Sequence, residues 1–423
     1  MTRLSWNQAL FPNGFSRCIK EPCVSDHPTR EDRNAVLEAK RTLKMARSAH
    51  AYVRGNTAKF YEWLVESPAA RHLPEGPPIW ICGDCHLGNL GPIANGAGKV
   101  EIQIRDLDQA VIGNPLHDLI RLGLSLATAA RGSDLPGVTT ARMIEQMMLG
   151  YEAALADPTS GDAGPEPDAV KTVRRRALGR RWRHLAKERL DDVEPSIPLG
   201  KRFWRLDDSE QRAVAGVFDQ PAVASMVLAL RHRAGDQRVR MTDAAYWMKG
   251  CSSLGLLRIA AIVEMRDAED DRAHALVDIK QAVAPIAPAA RGAKMPQQPG
   301  ERVVAAARAL SPHLGERIAA AHILDASVFV RELMPQDLKL EVDQFTTDQA
   351  TKAAHYLAFV VGKAHARQLA AEDRRLWQAE LNRSRTAKID APSWLWESVV
   401  DLAGRHEAGY LEHCRRYAMA AAA

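Results

Sequence analysis

The sequence predicts an α+β protein that is large enough for two or three domains, or for two closely packed lobes. Helical periodicity prevails near both ends of the chain, whereas runs of β-forming residues appear around residues 77–106 and between residues 244 and 343. The length of 423 residues, 46% of them hydrophobic, provides a sizeable core. With 26% charged residues the composition is that of a globular protein, which excludes a disordered or collagen-like chain.

The first predicted element is a long helix. It begins near Thr29, because residues 29–32 have the spacing of a capping box. Apolar side chains then recur on one helical face, at Val36, Ala39, Leu43 and Ala46. We expect a break at Gly55 and an end at Ser67, because the residue before Pro68 is pushed out of helical geometry.

Two short strands are predicted next, in residues 77–84 and 99–106. The first is an apolar run, and the second alternates apolar and polar residues. Asn95-Gly96 between them is a turn signal. Asn114 and Pro115 suit the start of the helix that follows.

The second half of the chain is predicted to hold several strands between helices. Residues 155–168 are a surface loop, and the basic stretch 171–189 is a helix that we interpret as a solvated face in preference to a phosphate, RNA or partner surface. The later elements are strands at 244–265, 275–283, 327–333 and 338–342, a connector at 285–300, and helices from Glu301, over 347–380 and over 393–420.

One set of polar segments indicates chemistry. It consists of Gly83-Asp84-Cys85-His86-Leu87-Gly88-Asn89-Leu90, then Ile104-Arg105-Asp106-Leu107-Asp108, then Gly113-Asn114-Pro115-Leu116-His117-Asp118. Phosphoryl transfer needs a carboxylate near the nucleophile and oxygen ligands for Mg²⁺. Asp84 and Asn89 can serve these two tasks from one loop, and Asp106 ends a strand that would aim it rigidly. The alternative is that residues 83–89 are only a polar loop closed by Asx turns. The presence of the Asp106 segment at the expected distance makes this alternative less favoured.

These segments resemble the catalytic and metal-binding motifs of the aminoglycoside phosphotransferase and choline kinase group. The resemblance implies a two-lobed, protein-kinase-like fold that binds ATP and Mg²⁺. It implies that Asp84 accepts the proton of the attacking hydroxyl in a loop that also carries His86. It further implies that Asn89 and Asp106 hold Mg²⁺ and that Asp118 braces the catalytic loop.

The nucleotide would be held by a turn and a lysine. Gly250, Ser252, Ser253 and Gly255 are candidates for a phosphate-covering turn, although the glycine loop of the family that the chain resembles usually has Gly where Ser252 stands. Lys280 ends a predicted strand and resembles the kinase lysine that pairs with α- and β-phosphates. The alternative interpretation is that Lys280 is a solvent-facing residue on an edge strand. Ala305 stands where the acid partner of this lysine is expected, so Glu301, or less favourably Glu264 or Glu332, would substitute.

The order of these motifs is reversed relative to kinases, which implies a circularly permuted fold. The permuted arrangement would consist of N-terminal helices completing the large lobe (1–69), the helical large lobe with its catalytic and metal-binding loops (70–235), a small antiparallel-sheet lobe with the glycine turn and Lys280 (240–343), and C-terminal helices packing on the large lobe (344–423). Asp84, Asn89 and Asp106 should then face Lys280 across one cleft, with its ammonium within about 10 Å of Asp106.

The chain also resembles an uncharacterised bacterial family catalogued as domain of unknown function 2252. The resemblance runs over most of the length. Its segments are HAYVRG near residue 50, GDCHLGN, IRDLDQA, GCSSLG, ALVDIKQA, RVVAAARALSPHLG, FVRELMPQDLK and GKAHARQL near residue 362. Because the activity of that family is not established, this resemblance adds an expectation of fold and none of function.

The six cysteines are too few for a disulfide framework at this size and are predicted to be reduced thiols. Cys82-Gly83-Asp84-Cys85-His86 matches the pattern of c-type haem attachment, which belongs to exported proteins, and the chain shows no export signal. Zinc bound by Cys82 and Cys85 with Cys18 and Cys23 is a better alternative. Small buried thiols are favoured over both.

The predicted function is an ATP- and Mg²⁺-dependent phosphotransferase acting on a hydroxyl of an unidentified, small-molecule acceptor. Nucleotidyl (AMP) transfer onto a protein and a catalytically silent nucleotide-binding module are the alternatives. The net charge of +5 does not demand a nucleic acid. No apolar run is long enough to span a bilayer, so we expect a cytoplasmic protein with no membrane partner.

Overall fold

The structure, a computed structural model, describes most of the chain: residues 28–29, 32–160, 163–179, 195–229, 238–250, 254–266, 272–334, 337–338, 346–383, 385 and 390–422. Thirteen α-helices and antiparallel sheets lie within these ranges, so the predicted α+β class is confirmed. Within the same ranges, no helix combines the length and the apolar character needed to cross a membrane.

The helices are numbered in chain order. They are α1 (Arg33–Ala46), α2 (Ala49–Gly55), α3 (Thr57–Glu66), α4 (Leu116–Gly132), α5 (Gly137–Ala156), α6 (Asp168–Gly179), α7 (Asp208–Val217), α8 (Pro221–Ala229), α9 (Pro299–Leu310), α10 (Pro312–Gly315), α11 (Thr347–Ala366), α12 (Ala371–Arg383) and α13 (Ser393–Ala422). The basic stretch predicted as one helix over 171–189 is helical up to Gly179, and its remainder lies outside the described residues.

The strands form two small ladders and one larger sheet among the described residues. They are β1 (Ile79–Ile81), β2 (Leu90–Ala94), β3 (Val100–Ile104), β4 (Val111–Gly113), β5 (Phe203–Trp204), β6 (Arg238–Trp247), β7 (Arg258–Arg266), β8 (Arg272–Gln281), β9 (Ile318–Ile323) and β10 (Ala326–Glu332). The larger sheet has the order β5-β6-β7-β8-β10-β9, and each neighbouring pair is antiparallel. The strand predicted at 338–342 falls almost entirely outside the described residues.

The predicted N-terminal helix is divided into α1, α2 and α3. Two local caps cause the division. The side chain of Ser48 accepts a hydrogen bond from the Ala51 N–H at 3.1 Å and begins α2. The side chain of Asn56 accepts one from the Lys59 N–H at 3.2 Å and begins α3 directly after Gly55, where the break was predicted.

Both strands predicted within residues 77–106 form, but each has a partner that the sequence did not reveal. β1 pairs with the three-residue strand β4, and β3 pairs with β2. Gly91 and Pro92 weaken the strand signal of β2, because neither favours a strand interior. The register of this hairpin matters for function: Leu90 lies opposite Ile104, so Asn89 and the Arg105-Asp106 pair emerge together at its open end.

Two large hydrophobic clusters form the core. One joins α3, α4, α5, α9, α11 and α13 to the small ladders, and the other covers one face of the larger sheet with α7 and α8. The sheet cluster includes Trp204 and Leu206, upstream of residue 240, where the sheet lobe was expected to begin. α1 adds Leu37 to the sheet cluster, whereas α3 adds Phe60 and Trp63 to the other. The N-terminal helices therefore contact both clusters.

Candidate active site

The loop after β1 has a backbone that only glycine can provide. Gly83 has φ +72°, and a Cβ atom there would lie 2.1 Å from the Gln109 carbonyl oxygen. Asp118, in the first turn of α4, accepts hydrogen bonds from the backbone N–H groups of Cys82 at 2.7 Å and Gly83 at 2.9 Å. The fully buried Asp118 carboxylate thus fixes the chain directly before Asp84, in the bracing position that the sequence predicts.

Asp84 is buried and oriented by an arginine. Only 7% of the residue is exposed, and its Oδ1 accepts a hydrogen bond from Arg121 Nε at 2.9 Å. Arg121, fully buried on α4, also donates to the Val53 carbonyl at 2.6 Å and so attaches α2 to the loop. Burial raises the pKa of Asp84, and Arg121 offsets part of that rise. A fixed carboxylate with a raised pKa is suited to accept a proton.

His86 lies beside Asp84 as a neutral imidazole. Its Nδ1 accepts a hydrogen bond from the Gly88 N–H at 3.0 Å, and its Nε2 is 3.9 Å from Asp84 Oδ2. Burial, together with Arg54 and Arg121, holds the pKa of His86 well below its usual range. Because Nδ1 is an acceptor, the ring proton is on Nε2, which faces the Asp84 carboxylate.

Asn89 and Asp106 are brought together by the β2–β3 hairpin. The Arg105 N–H donates to the Asn89 carbonyl at 2.8 Å, one step beyond the last strand pair. Asn89 Nδ2 donates to the Asp84 carbonyl at 2.9 Å, so the amide nitrogen is used within the loop and the amide oxygen remains as a potential metal ligand. Asp84, Asn89 and Asp106 therefore belong to one compact group.

Lys280 meets this group from the larger sheet. Its Nζ lies 3.1 Å from Asp106 Oδ1 across a sequence separation of 174 residues and also contacts Asp108 Oδ2. The expected proximity to Asp106 is therefore found. The edge-residue alternative is wrong, because β8 lies between β7 and β10 in the sheet, and Lys280 is 1% exposed.

The acids beside Lys280 differ from those that the sequence suggested. They are Asp106 and Asp108, from the loop after β3, and the proposed substitute Glu301 is an exposed residue in the first turn of α9. The next residue on α9, Arg302, donates to the carbonyls of Asp108 at 2.7 Å and Val283 at 3.0 Å. This helix therefore positions the acidic loop by a buried arginine.

The two carboxylates beside Lys280 have opposite pKa shifts. Desolvation in the cleft would raise the pKa of Asp106, but Lys280, Arg331 and Arg258 together hold it below its usual range. Burial and the neighbouring charge of Asp106 raise the pKa of Asp108 to about 6. Asp106 is thus the stable anion of the pair, and its side chain is 41% exposed to the cleft.

Two arginines complete the sheet side of the site. Arg258 of β7 and Arg331 of β10 flank Lys280, and both donate to the buried Asp278 carboxylate, at 2.6 and 2.9 Å. Arg331 also donates to the Arg105 carbonyl at 3.0 Å, which connects the sheet to the end of the β2–β3 hairpin. The three cations Arg258, Arg331 and Lys280 thus meet three carboxylates, Asp278, Asp106 and Asp108, so their charges are largely balanced on this side of the site.

A cleft of about 310 Å³ opens between the two sides. The described residues that line it are Lys44, Arg47, Ala51, Arg54, Asp84, His86, Gly88, Asn89, Arg105, Asp106, Lys249, Gly250, Arg258 and Arg331. Seven of these side chains are Lys or Arg, and only two are carboxylates. The cleft is therefore strongly basic, as a binding site for a polyphosphate would be.

The predicted glycine turn is only partly described. Gly250 lines the cleft, and its carbonyl accepts a hydrogen bond from Lys44 at 2.8 Å. Ser252 and Ser253 lie outside the described residues. Gly255 has φ +103° and is exposed, and it is not among the described residues that line the cleft.

The donor set fits Mg²⁺ better than zinc. Among the described residues no group of three or more His, Cys, Asp or Glu side chains could hold a metal. Mg²⁺ does not require one, because it binds through one or two carboxylates together with substrate phosphates and water. Asp106 and the Asn89 amide oxygen meet that need, and buried Asp108 Oδ1 lacks a hydrogen-bond partner within the described part of the chain.

The cysteines near the site are buried. Cys82 and Cys85 are fully buried and unbridged, and Cys82 Sγ lies 3.4 Å from the Asp106 carbonyl oxygen. They match the favoured prediction of small buried thiols. Cys18 and Cys23, the second pair of the zinc alternative, lie outside the described residues.

The sequence analysis gave no role to Asp108, and it missed three further residues of the site, Arg121, Arg258 and Arg331. Asp108 stands in the Asp-Leu-Asp segment, where Leu107 enters the core and both acids contact Lys280. The cations carry no local signal, because only the strand order of the larger sheet brings Arg258 and Arg331 beside Lys280.

Comparison with known proteins gives a family and no activity. A family described as "Uncharacterized protein conserved in bacteria (DUF2252)" matches residues 33–416 of the chain. Neither the curated proteins nor the solved structures contain a match.

Proposed function

The chain belongs to this uncharacterised bacterial family, and from its cleft we propose that it is an ATP- and Mg²⁺-dependent phosphotransferase acting on a hydroxyl of a small-molecule acceptor. Its fold would be the permuted, two-lobed kinase-like arrangement. The observation that carries the proposal is the contact of Lys280 with Asp106 at 3.1 Å. In such an enzyme a lysine on a central strand contacts the phosphates directly, and the carboxylate beside it holds the Mg²⁺ that binds the same phosphates.

The nucleotide phosphates would lie against the sheet wall. Arg258 and Arg331 line the cleft there, and Lys280 lies on the strand between theirs. Charge-assisted hydrogen bonds to phosphate are about twice as strong as neutral ones. Asp106 and Asn89 would hold Mg²⁺. The ion would supply neutralisation of the phosphate charge when bound.

The acceptor hydroxyl would lie at Asp84. Its oxygen attacks the γ-phosphorus, the bond between that phosphorus and the bridging oxygen of the β-phosphate breaks, and ADP leaves with the bonding electrons. The hydroxyl proton passes to the Asp84 carboxylate, whose pKa is raised by burial. Arg121 and the backbone brace from Asp118 keep that carboxylate in position.

Labelled ATP tests the proposal. The protein is incubated with Mg²⁺ and with ATP labelled at the γ- or at the α-phosphate, against pools of metabolites and proteins. We expect the γ-label on a small molecule and stoichiometric ADP, with no transfer by Asp84→Asn. The α-label on a protein, with pyrophosphate released, would establish nucleotidyl transfer instead. Absence of transfer together with absence of Mg²⁺-dependent ATP binding would refute the proposal.

A further inference from the structure

The helical wall of the cleft carries two arginines that the proposed reaction does not use. Arg47 is the C-cap residue of α1, and Arg54 is in the last turn of α2. Both line the cleft together with Asp84 and Gly88. Arg54 lies on the side of the proton acceptor, whereas Lys280 comes from the sheet on the other side.

Arg54 lies directly against the catalytic loop. A Cβ atom at Gly88 would be 2.9 Å from Arg54 Cζ, so the absence of a side chain at Gly88 allows the guanidinium to approach the loop backbone. Within the described residues, the buried Nε of Arg54 has no hydrogen-bond partner. A guanidinium held in a partly enclosed site with an unused donor favours an anion as its partner.

The other cations near the reacting groups are already paired. Arg258 and Arg331 contact Asp278, Lys280 contacts Asp106, and Arg121 contacts Asp84. In contrast, Arg47 and Arg54 form no ion pair with an acidic side chain in the described part of the chain.

His50 on α2 lies near Arg54. Burial, followed by the charges of Arg54 and Arg121, lowers the pKa of His50 to about 4, so His50 adds no negative charge that would neutralise Arg54.

We infer that Arg47 and Arg54 form an anion subsite beside Asp84, and that the acceptor is a small hydroxyl compound that carries a phosphate or carboxylate group. The inference rests on the proposed function, since it assigns to the acceptor the side of the cleft on which Asp84 lies. An anionic group held by Arg54 places a neighbouring hydroxyl near Asp84, and bidentate contact with a guanidinium fixes its orientation.

Calorimetry tests the subsite without knowledge of the acceptor. Inorganic phosphate and, separately, acetate are titrated into protein saturated with Mg²⁺ and a non-hydrolysable ATP analogue. We expect at least one of them to bind, with an affinity about tenfold lower in Arg54→Gln and in Arg47→Gln, the loss of one charge-assisted contact. Analogue affinity should change less than about threefold. Arg71→Gln, at an exposed arginine that does not line the cleft, is the matched control.

The outcomes separate the subsite from the nucleotide site. If neither anion binds to the nucleotide-saturated protein, or if anion binding is lost in Lys280→Met and unaffected in Arg54→Gln, the subsite is refuted. If the analogue itself does not bind, but phosphate binding still depends on Arg54, the proposed function fails and the subsite stands. Arg54→Lys keeps the charge and should retain part of the affinity for the anion. It tests the subsite independently if Arg54→Gln does not fold.

Discussion

His365 on α11 and Asp118 on α4 lie 3.1 Å apart, Nε2 to Oδ2, and both side chains are fully buried. The neighbours of His365 assign its tautomer. Trp377 Nε1, which can only donate, is 3.3 Å from the Tyr151 hydroxyl, and that hydroxyl is 3.0 Å from His365 Nδ1. The hydroxyl therefore donates to Nδ1, and Nε2–H donates to Asp118. A buried hydrogen-bond chain thus extends from α12 to the loop that carries Asp84.

Removal of this donor should loosen the catalytic loop. In His365→Ala both Asp118 and Tyr151 lose a buried partner, which should cost about 1 to 3 kcal/mol in the free energy of unfolding. Turnover should fall about tenfold or more with nucleotide affinity nearly unchanged, because Asp84 is less well positioned. Denaturant titration and separate measurements of kcat and KM check this.

The control for that experiment is His355→Ala on the same helix, at a partly exposed position. A side chain that keeps an N–H donor, as in His365→Gln, should recover part of the turnover. A loss of stability in His365→Ala with unchanged kcat would show that this chain of hydrogen bonds supports the fold and does not position Asp84.

Asp84 and Asp106 should respond differently to the same substitution. Asp84→Asn removes the proton acceptor and should lower turnover by about 10²- to 10⁴-fold while nucleotide binding stays nearly intact. Asp106→Asn should weaken Mg²⁺-dependent nucleotide binding, because the exposed anion beside Lys280 is lost. Titration of ATP with and without Mg²⁺, beside steady-state rates, separates them. Wild-type turnover in Asp84→Asn would show that the base is another residue.

Lys280→Met should affect both stability and binding. The substitution leaves Asp106 and Asp108 as neighbouring acids with no cation between them. We expect the free energy of unfolding to fall by about 1 to 3 kcal/mol. This is less than the full cost of breaking a buried ion pair, because Asp106 is partly exposed. Nucleotide affinity should fall about tenfold or more. Thermal unfolding and calorimetry measure the two effects.

Added Mg²⁺ should return part of the stability of Lys280→Met, because a divalent cation can neutralise the two acids. Lys294→Met, at an exposed lysine of the connector before α9, is the control and should change neither quantity. If Lys280→Met is destabilised but binds the nucleotide with unaltered affinity, Lys280 supports the fold and does not bind the phosphates.

The parts of the site that were predictable are those that local geometry determines. Asp84, Asn89 and Asp106 were identified because a tight loop and a hairpin join them, and the register of Leu90 with Ile104 brings their flanking residues together. Asp118 follows within one helical turn of Asn114-Pro115, so its return to the loop also depends on a short stretch of chain.

The parts that were not predictable depend on pairing between distant segments. Lys280 was assigned to a strand correctly, but its burial results from β10 joining β8 on the side away from β7, and no local pattern specifies that order. The strand β9, with small residues such as Ala320 and Ala321, lacks a strong β signal and forms through its partner β10. The acid expected beside Lys280 was Glu301 on α9. The acids found there are Asp106 and Asp108, because the fold brings the loop after β3 against β8, and no local pattern predicts that contact.

Buried histidines should make the protein less stable as the pH falls, and His406 on α13 offers a clear case. Its Nδ1 lies 3.0 Å from the Leu402 carbonyl oxygen, and its buried Nε2 has no hydrogen-bond partner within the described residues. Burial, then the charge of Arg121, lowers the pKa of His406 to about 3. The unfolded chain binds this proton below about pH 6.5, whereas the folded protein does not until about pH 3.

The contribution of His406 is therefore complete above about pH 6.5 and decreases as the pH falls toward 3, by about 1.4 kcal/mol per unit, or about 2 kcal/mol at pH 5. We expect the free energy of unfolding of His406→Gln to fall less between pH 7 and pH 5 than that of the wild type, by about this amount. Denaturant titrations at both pH values measure it. His72→Gln, at an exposed side chain, should follow the wild-type profile. Equal pH dependence in His406→Gln and the wild type would show that His406 takes up its proton without opposing the fold.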